Sequence, residues 1–197
     1  NSFYTTQTEN DLSEYTIIDV TSRITRNKEF MAQHPRFARE LSPFYVGPVT
    51  SADGVKAEIF EIFWQCGKVY PCHDDNGKPN ADYFDWRNYF YSQTECTKDL
   101  MRHTCKSLGY EHKDARYFAH FDKDKGEYIP LNYVEARKTV YFPEYAKLIY
   151  NTESFKYLKS LVDSGKKIAL ARDGIDVEAH AEILDQLHRL LSYENCG

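Results

Sequence analysis

Residues 55–70, VKAEIFEIFWQCGKVY, constrain the fold more than any other stretch, because their apolar positions recur at helical spacing and both ends are punctuated. The turn-like 51–54 offers Ser51 or Asp53 as an N-cap, and Pro71 stops the run, which together predict a helix over 55–70. Projected at roughly 100° per residue, Glu61, Trp64, Gln65 and Lys68 fall on one stripe, while Val55, Ile59, Ile62, Phe63, Cys66 and Val69 face the other way. The helix has a full core face without Trp64. A tryptophan on the polar side then needs a ring to stack on, a groove to line or a second buried layer.

On the N-terminal side, 1–15 is polar and 15–20 (YTIIDV) reads as a short β-branched strand. The charged stretch 21–40 is interrupted by Pro35, and its Arg23, Arg26, Arg36 and Arg39 form either a solvated face or a set that meets phosphate. Residues 41–49 (LSPFYVGPV) carry two prolines and a glycine around Phe44 and Tyr45, which predicts a stiff extended loop or edge segment.

Beyond Pro71, 72–91 is a polar insertion ending in Tyr83, Phe84, Trp86, Tyr89, Phe90 and Tyr91, either a lid or a packed loop. Residues 94–109 predict a helix with Leu100, Met101, Cys105 and Leu108 inward and Gly109 as its stop. A hairpin is expected from 116–121 and 127–131 around DKDKG. That string is not a calcium loop, since its glycine comes one position early and no acidic residue closes it. Two helices follow at 134–150 and 152–164, the second capped by Thr152 and ended by Gly165. A strand at 167–171, a turn at 172–176 (RDGID) and a last helix with Ile183, Leu184, Leu187, Leu190 and Leu191 inward complete the chain. Helices mixed with short strands, without regular alternation, predict an α+β, predominantly α-helical fold. It is expected as a single domain over 1–197 with an aromatic-rich insertion at about 72–114.

Composition narrows the function classes. A net charge of -5 with both signs interspersed argues against a generally basic nucleic-acid surface, so an anionic ligand would need a local site. No apolar run approaches the roughly 20 residues of a membrane span and 1–10 has no signal-peptide pattern, which predicts a cytosolic, membrane-free protein. The five cysteines, Cys66, Cys72, Cys96, Cys105 and Cys196, are odd in number and irregularly spaced, as free thiols are. No C-x-x-C or H-x-x-x-H pair supports a zinc site, and no metal or cofactor is expected.

By chemistry alone, Glu61 beside Trp64 and Lys68 reads either as a general base or oxocarbenium stabiliser against an aromatic shelf, or as an exposed helix face. The string E-x-x-W-Q-x-x-K at Glu61, Trp64, Gln65 and Lys68 follows L-S-P-F-Y-V-G-P-V, of which Leu41, Ser42, Phe44, Tyr45 and Pro48 matter here. Together they resemble the YbiA-like or NADAR family, whose pattern is approximately L-S-N-F-Y-x-x-P-V followed by E-H-x-Y-Q-x-x-K. Lys147 to Asn151, then Leu158, Leu161 and Gly165, resemble its K-F-x-x-N, leucine-rich helix and glycine stop. The chain departs from the family in carrying Asn132 and Tyr133 in place of Asp-Trp, and in lacking Trp-Gly after the late strand.

The resemblance implies an N-glycosidase that attacks a ribose anomeric carbon with water. Its implied substrate is an ADP-ribosyl adduct, such as ADP-ribose on guanine of a nucleotide or nucleic acid. The alternatives it implies are phosphorylated riboflavin-pathway intermediates, or a non-catalytic ADP-ribose-binding module. It implies Glu61 as the catalytic carboxylate, with Asp173 or Asp176 holding ribose hydroxyls or water. Trp64, Tyr45 and Phe44 would frame base or sugar with Gln65 alongside, Lys68 and Arg172 would meet phosphate, and Trp86 is a candidate for the missing tryptophan. For the two aspartates, a turn and an N-cap for the last helix are the alternative.

Overall fold

The computed structural model describes residues 15–19 and 32–171. Chain contacts divide it into two compact units, Leu41–Tyr150 and a discontinuous unit of Asn1–Glu40 with Asn151–Gly197. Helices joined to small sheets make the fold α+β.

In the discontinuous unit, β1 (Tyr15–Asp19) pairs in parallel with β9 (Lys167–Ala171), in register from Tyr15 opposite Lys167 to Asp19 opposite Ala171. Pro35 stands before the short helix α1 (Phe37–Leu41). Helix α7 (Glu153–Asp163) starts where expected, with the Thr152 hydroxyl accepting from the Phe155 N–H at 3.2 Å, and stops at Gly165, whose φ of 76° suits glycine. The Glu40 carboxylate accepts from the Ser154 N–H at 2.8 Å, and this bond holds its pKa below the ordinary carboxylate value. Phe155, Leu158 and Leu161 supply the buried stripe of α7.

The contiguous unit corrects the expected 55–70 helix. Residues 51–54 do not cap a helix but turn the hairpin of β2 (Val49–Thr50) and β3 (Lys56–Ala57), with the Ser51 N–H donating to the Val55 carbonyl at 2.9 Å. Helix α2 is shorter, Phe60–Cys66, and Ile59 at its N-cap makes no side-chain hydrogen bond. The first orphan N–H groups are satisfied by the 42–46 loop instead, Phe60 donating to the Val46 carbonyl and Glu61 to the Pro43 carbonyl, both at 2.9 Å. Lys68 and Val69 leave the helix as β4 (Lys68–Val69) because they ladder onto β7 (Tyr117–Asp122). A Cβ at Gly67 would lie 2.2 Å from the Phe118 ring, so any larger residue at this exit from helix to strand would have to displace that ring.

The sheet β4-β7-β8 is completed by the expected hairpin, β8 being Glu127–Leu131, with the Asp122 carboxylate accepting from the Asp124 and Lys125 N–H groups in the turn. The insertion is not a polar loop. It opens with a small hairpin, β5 (Asp74–Asp75) and β6 (Lys78–Pro79), turned by Asn76 and Gly77 at positive φ. Helix α3 (Ala81–Tyr91) follows, its Asn80 cap accepting from the Tyr83 N–H at 3.0 Å. Tyr83, Phe90 and Tyr91 are core residues of this unit. Aromatic residues on every side of α3 leave no single apolar stripe for periodicity to detect. Helix α4 (Lys98–Lys106) is capped by Thr97.

The predicted 134–150 helix is interrupted. Asn132 and Glu135 form a capping box for α5 (Tyr133–Ala136), a π turn spans Arg137–Tyr141, and α6 (Phe142–Ile149) completes it. Pro143 supplies the reason, since it has no N–H to return to the preceding turn; the Phe142 N–H bonds the Arg137 carbonyl five residues back.

Candidate active site

Although α2 ends at Cys66, the polar stripe read from the sequence persists as a hydrogen-bonded chain. Gln65 Nε2 donates to Glu61 Oε1 at 2.7 Å, and Lys68 Nζ donates to Gln65 Oε1 at 2.7 Å. Gln65 therefore stands between carboxylate and ammonium, which are half-buried. Burial raises the Glu61 pKa, against the opposing pull of the Gln65 hydrogen bond and of the Lys68 and Arg137 charges. Burial likewise lowers the Lys68 pKa, only partly offset by Glu61. Burial thus moves the two groups toward each other on the pH scale.

Trp64 is 5% exposed, so a second buried layer, and not an open shelf, accounts for a tryptophan on this stripe. Its ring stacks on Phe118 at 4.9 Å and meets the edge of Tyr141 at 4.9 Å. In turn Tyr141 feels Glu61, whose charge adds to burial in pushing the phenol pKa up. Arg137, one helical turn from Tyr141, lies 4.2 Å from that ring's centroid and 5.8 Å from the ring of Tyr133, which is 56% exposed. Cys96, between α3 and α4, also neighbours Glu61; burial and that charge push its thiol up to about 12.

The other sequence candidates divide. Tyr45, 62% exposed, and the half-buried Phe44 lie on the loop whose carbonyls bind the start of α2. Trp86 belongs to a different aromatic cluster, packing against Tyr70, His73, Tyr83 and Phe90. Arg36 and Arg39 are exposed in the discontinuous unit. Arg172, Asp173, Asp176, Arg23, Arg26 and the last helix lie outside the described residues. Arg137 and Tyr141 were not singled out by sequence reasoning, and Cys96 was read only as a free thiol; the one signal for the first two was Pro143 inside an otherwise helical run, which foretold an irregularity next to them.

A cavity of about 310 Å³ lies elsewhere, against Phe63, on the side of α2 facing away from Glu61. Asp53, Arg87 and Tyr128 on its wall are occupied with one another. Arg87 Nη1 is 2.7 Å from Asp53 Oδ2 and 3.0 Å from the Tyr128 hydroxyl, which itself donates to Asp53. The guanidinium is further enclosed by the rings of Tyr83, Phe84 and Tyr91. This polar set is a structural clamp, its charged groups already paired with one another. Among the described residues, no cluster of three or more His, Cys, Asp or Glu is arranged to hold a metal, and no helix is long and apolar enough to cross a membrane. No family model, curated protein or solved structure matches this chain.

Proposed function

We propose that this chain is a divergent YbiA-like or NADAR protein and an N-glycosidase that releases ADP-ribose from an adduct, with guanine of a nucleotide or nucleic acid as the base. The observation that carries the reading is the Glu61–Gln65–Lys68 chain, a half-buried carboxylate and ammonium held together by one amide. In the reaction the anomeric carbon–nitrogen bond breaks, positive charge develops on the ribose, and a water oxygen bonds to that carbon. Ionised Glu61 takes the water proton and stabilises the cationic sugar. Lys68, whose proton burial loosens, supplies the proton to the leaving nitrogen; solvent then takes the proton from Glu61 and returns one to Lys68. Engagement with Gln65 favours this role over phosphate binding.

Incubation with ADP-ribosylated guanosine and chromatography of the products tests the proposal. Free ADP-ribose from wild type, reduced at least 100-fold in Glu61→Gln, is the expected result. An inactive wild type, or an unimpaired Glu61→Gln, ends the assignment, and release of ribose 5-phosphate from a riboflavin-pathway intermediate instead redirects the substrate.

A further inference from the structure

We propose that the cavity of about 310 Å³ against Phe63 is a second ligand site, and that it takes a small aryl carboxylate, the ring lying among the aromatic side chains of the wall and the carboxylate meeting Lys123 and His120. The cavity is on the side of α2 that faces away from Glu61, so its test does not depend on the glycosidase reading.

Size and lining set the body of the ligand. The walls come from α3, the 51–54 turn, β7, β8 and the π turn running into α6, all of them inside Leu41–Tyr150. This volume stands at the lower end of the roughly 300–1,000 Å³ that small-molecule sites occupy, enough for a single ring with one polar substituent. Phe63 and Phe118 are buried and Phe121 is half-buried, so the lining presents ring faces and edges against which a flat apolar body gains more than its area alone.

Charge decides what the ring carries. Arg87, Lys123 and Lys147 border the cavity together with Asp53 and Glu144, three cations against two carboxylates. Asp53 is taken by Arg87 at 2.7 Å and Glu144 by Lys147 at 2.7 Å, so a cationic ligand finds no free carboxylate on the wall. Lys123 is left over: its ammonium forms no ion pair among the described residues, its neighbour Asp122 being engaged by Lys125 at 3.3 Å and by the turn N–H groups. His120 adds a second polar group. Its half-buried ring makes no hydrogen bond among the described residues, and burial holds its pKa below the ordinary 6.5 against the pull of Asp122, so at neutral pH the imidazole is uncharged with an N–H to donate. One ammonium and one neutral donor match a monoanion. A phosphate dianion would stay half-compensated beside aromatic walls, and its desolvation would not be recovered.

Amide NMR on the full isotope-labelled chain tests this with benzoate, benzamide and inorganic phosphate as probes. Benzoate should shift the amides of Ala119, His120 and Thr139 on the walls, saturating below about 10 mM, while those of Glu61 and Gln65 stay in place. Benzamide should shift the same wall amides at higher concentration, and phosphate should shift none of them. Lys123→Gln, at an exposed turn position, should weaken benzoate about 2–5-fold and leave benzamide unchanged, and added salt should act on wild type in the same sense. His120→Phe removes the donor and fills part of the space, so it should weaken both probes about 10-fold. No benzoate binding by wild type, shifts confined to amides away from these walls, equal benzoate affinity in wild type and Lys123→Gln, or phosphate binding as tight as benzoate overturns the proposal. Lys123-dependent benzoate binding in a chain without glycosidase turnover upholds it and sinks only the reading at Glu61.

Discussion

Asp53→Ala is the sharpest test of how the contiguous unit is held together. Side-chain exposures of 5% for Arg87 and 12% for Asp53 put both charges out of water, so the cost of the substitution is set by what remains. Arg87 would keep Tyr128 and Asn88 but lose its counter-charge, and a buried charge stripped of its partner typically costs about 3–5 kcal/mol. With a urea dependence of about 2 kcal/mol per molar, the midpoint should fall by roughly 1.5–2.5 M. The assay is selective, because both tryptophans, Trp64 and Trp86, lie in Leu41–Tyr150 and their fluorescence reports that unit alone. Asp53→Leu combined with Arg87→Met removes both charges and should recover most of the loss. The pH dependence has a definite sign. Burial would raise the Asp53 pKa, but hydrogen bonds from Ser51 and Tyr128 and the Arg87 charge outweigh it and hold the value below the ordinary 3.8. A depressed carboxyl pKa gives stability that is complete above 3.8 and lost as pH falls through the folded-state value, so the wild-type advantage over Asp53→Ala should shrink only below that point. A midpoint shift under about 0.3 M, or a double variant as weak as the single one, would refute the clamp.

Glu61→Gln should be at least as stable as wild type at pH 7, since a carboxyl whose folded-state pKa is raised has its full stability below 4.5 and loses it as pH rises; urea midpoints of the two proteins should converge below pH 4.5. The proposed glycosidase activity should fall as pH drops through that raised value, and a flat acid limb in the rate profile would remove Glu61 as the base. Trp86 Nε1 is buried without a hydrogen-bond partner, so Trp86→Phe should change stability by no more than about 1 kcal/mol and leave the proposed activity intact; a large activity loss would give Trp86 a part in the proposed site. Gly47→Ala would put a Cβ 2.2 Å from the Glu58 carbonyl oxygen and should cost about 1–3 kcal/mol in urea unfolding while displacing the loop bonded to Glu61.

Elements with their own local punctuation were legible from residues alone. Thr152 and Gly165 bracket α7, DKDKG turns β7 into β8, and Gly109 marks the exit from α4, whose start at Thr97 falls three residues later than the expected 94, because caps and turns depend on groups a few residues apart. The helix over 55–70 was misjudged at both ends for a non-local reason. Lys68 and Val69 prefer a strand only because Tyr117 and Phe118, far along the chain, accept them. The polar stripe nevertheless survived, since Gln65 spans the gap that the helix end opened between Glu61 and Lys68. Its opposite wall, Arg137 and Tyr141, was illegible because a π turn alters the angular step on which periodicity depends.

The parallel pairing of β1 with β9 also sets an order of assembly. Tyr15–Asp19 leaves the ribosome first, yet its partner Lys167–Ala171 lies roughly 150 residues later, on the order of 10–30 s at typical synthesis rates. During that interval all of Leu41–Tyr150 has emerged, with every strand of its own sheets already supplied. The nascent chain thus holds an unpaired strand edge while the segment carrying Glu61 is free to collapse, so a ribosome pausing after Tyr150 would display the proposed site before the discontinuous unit could close.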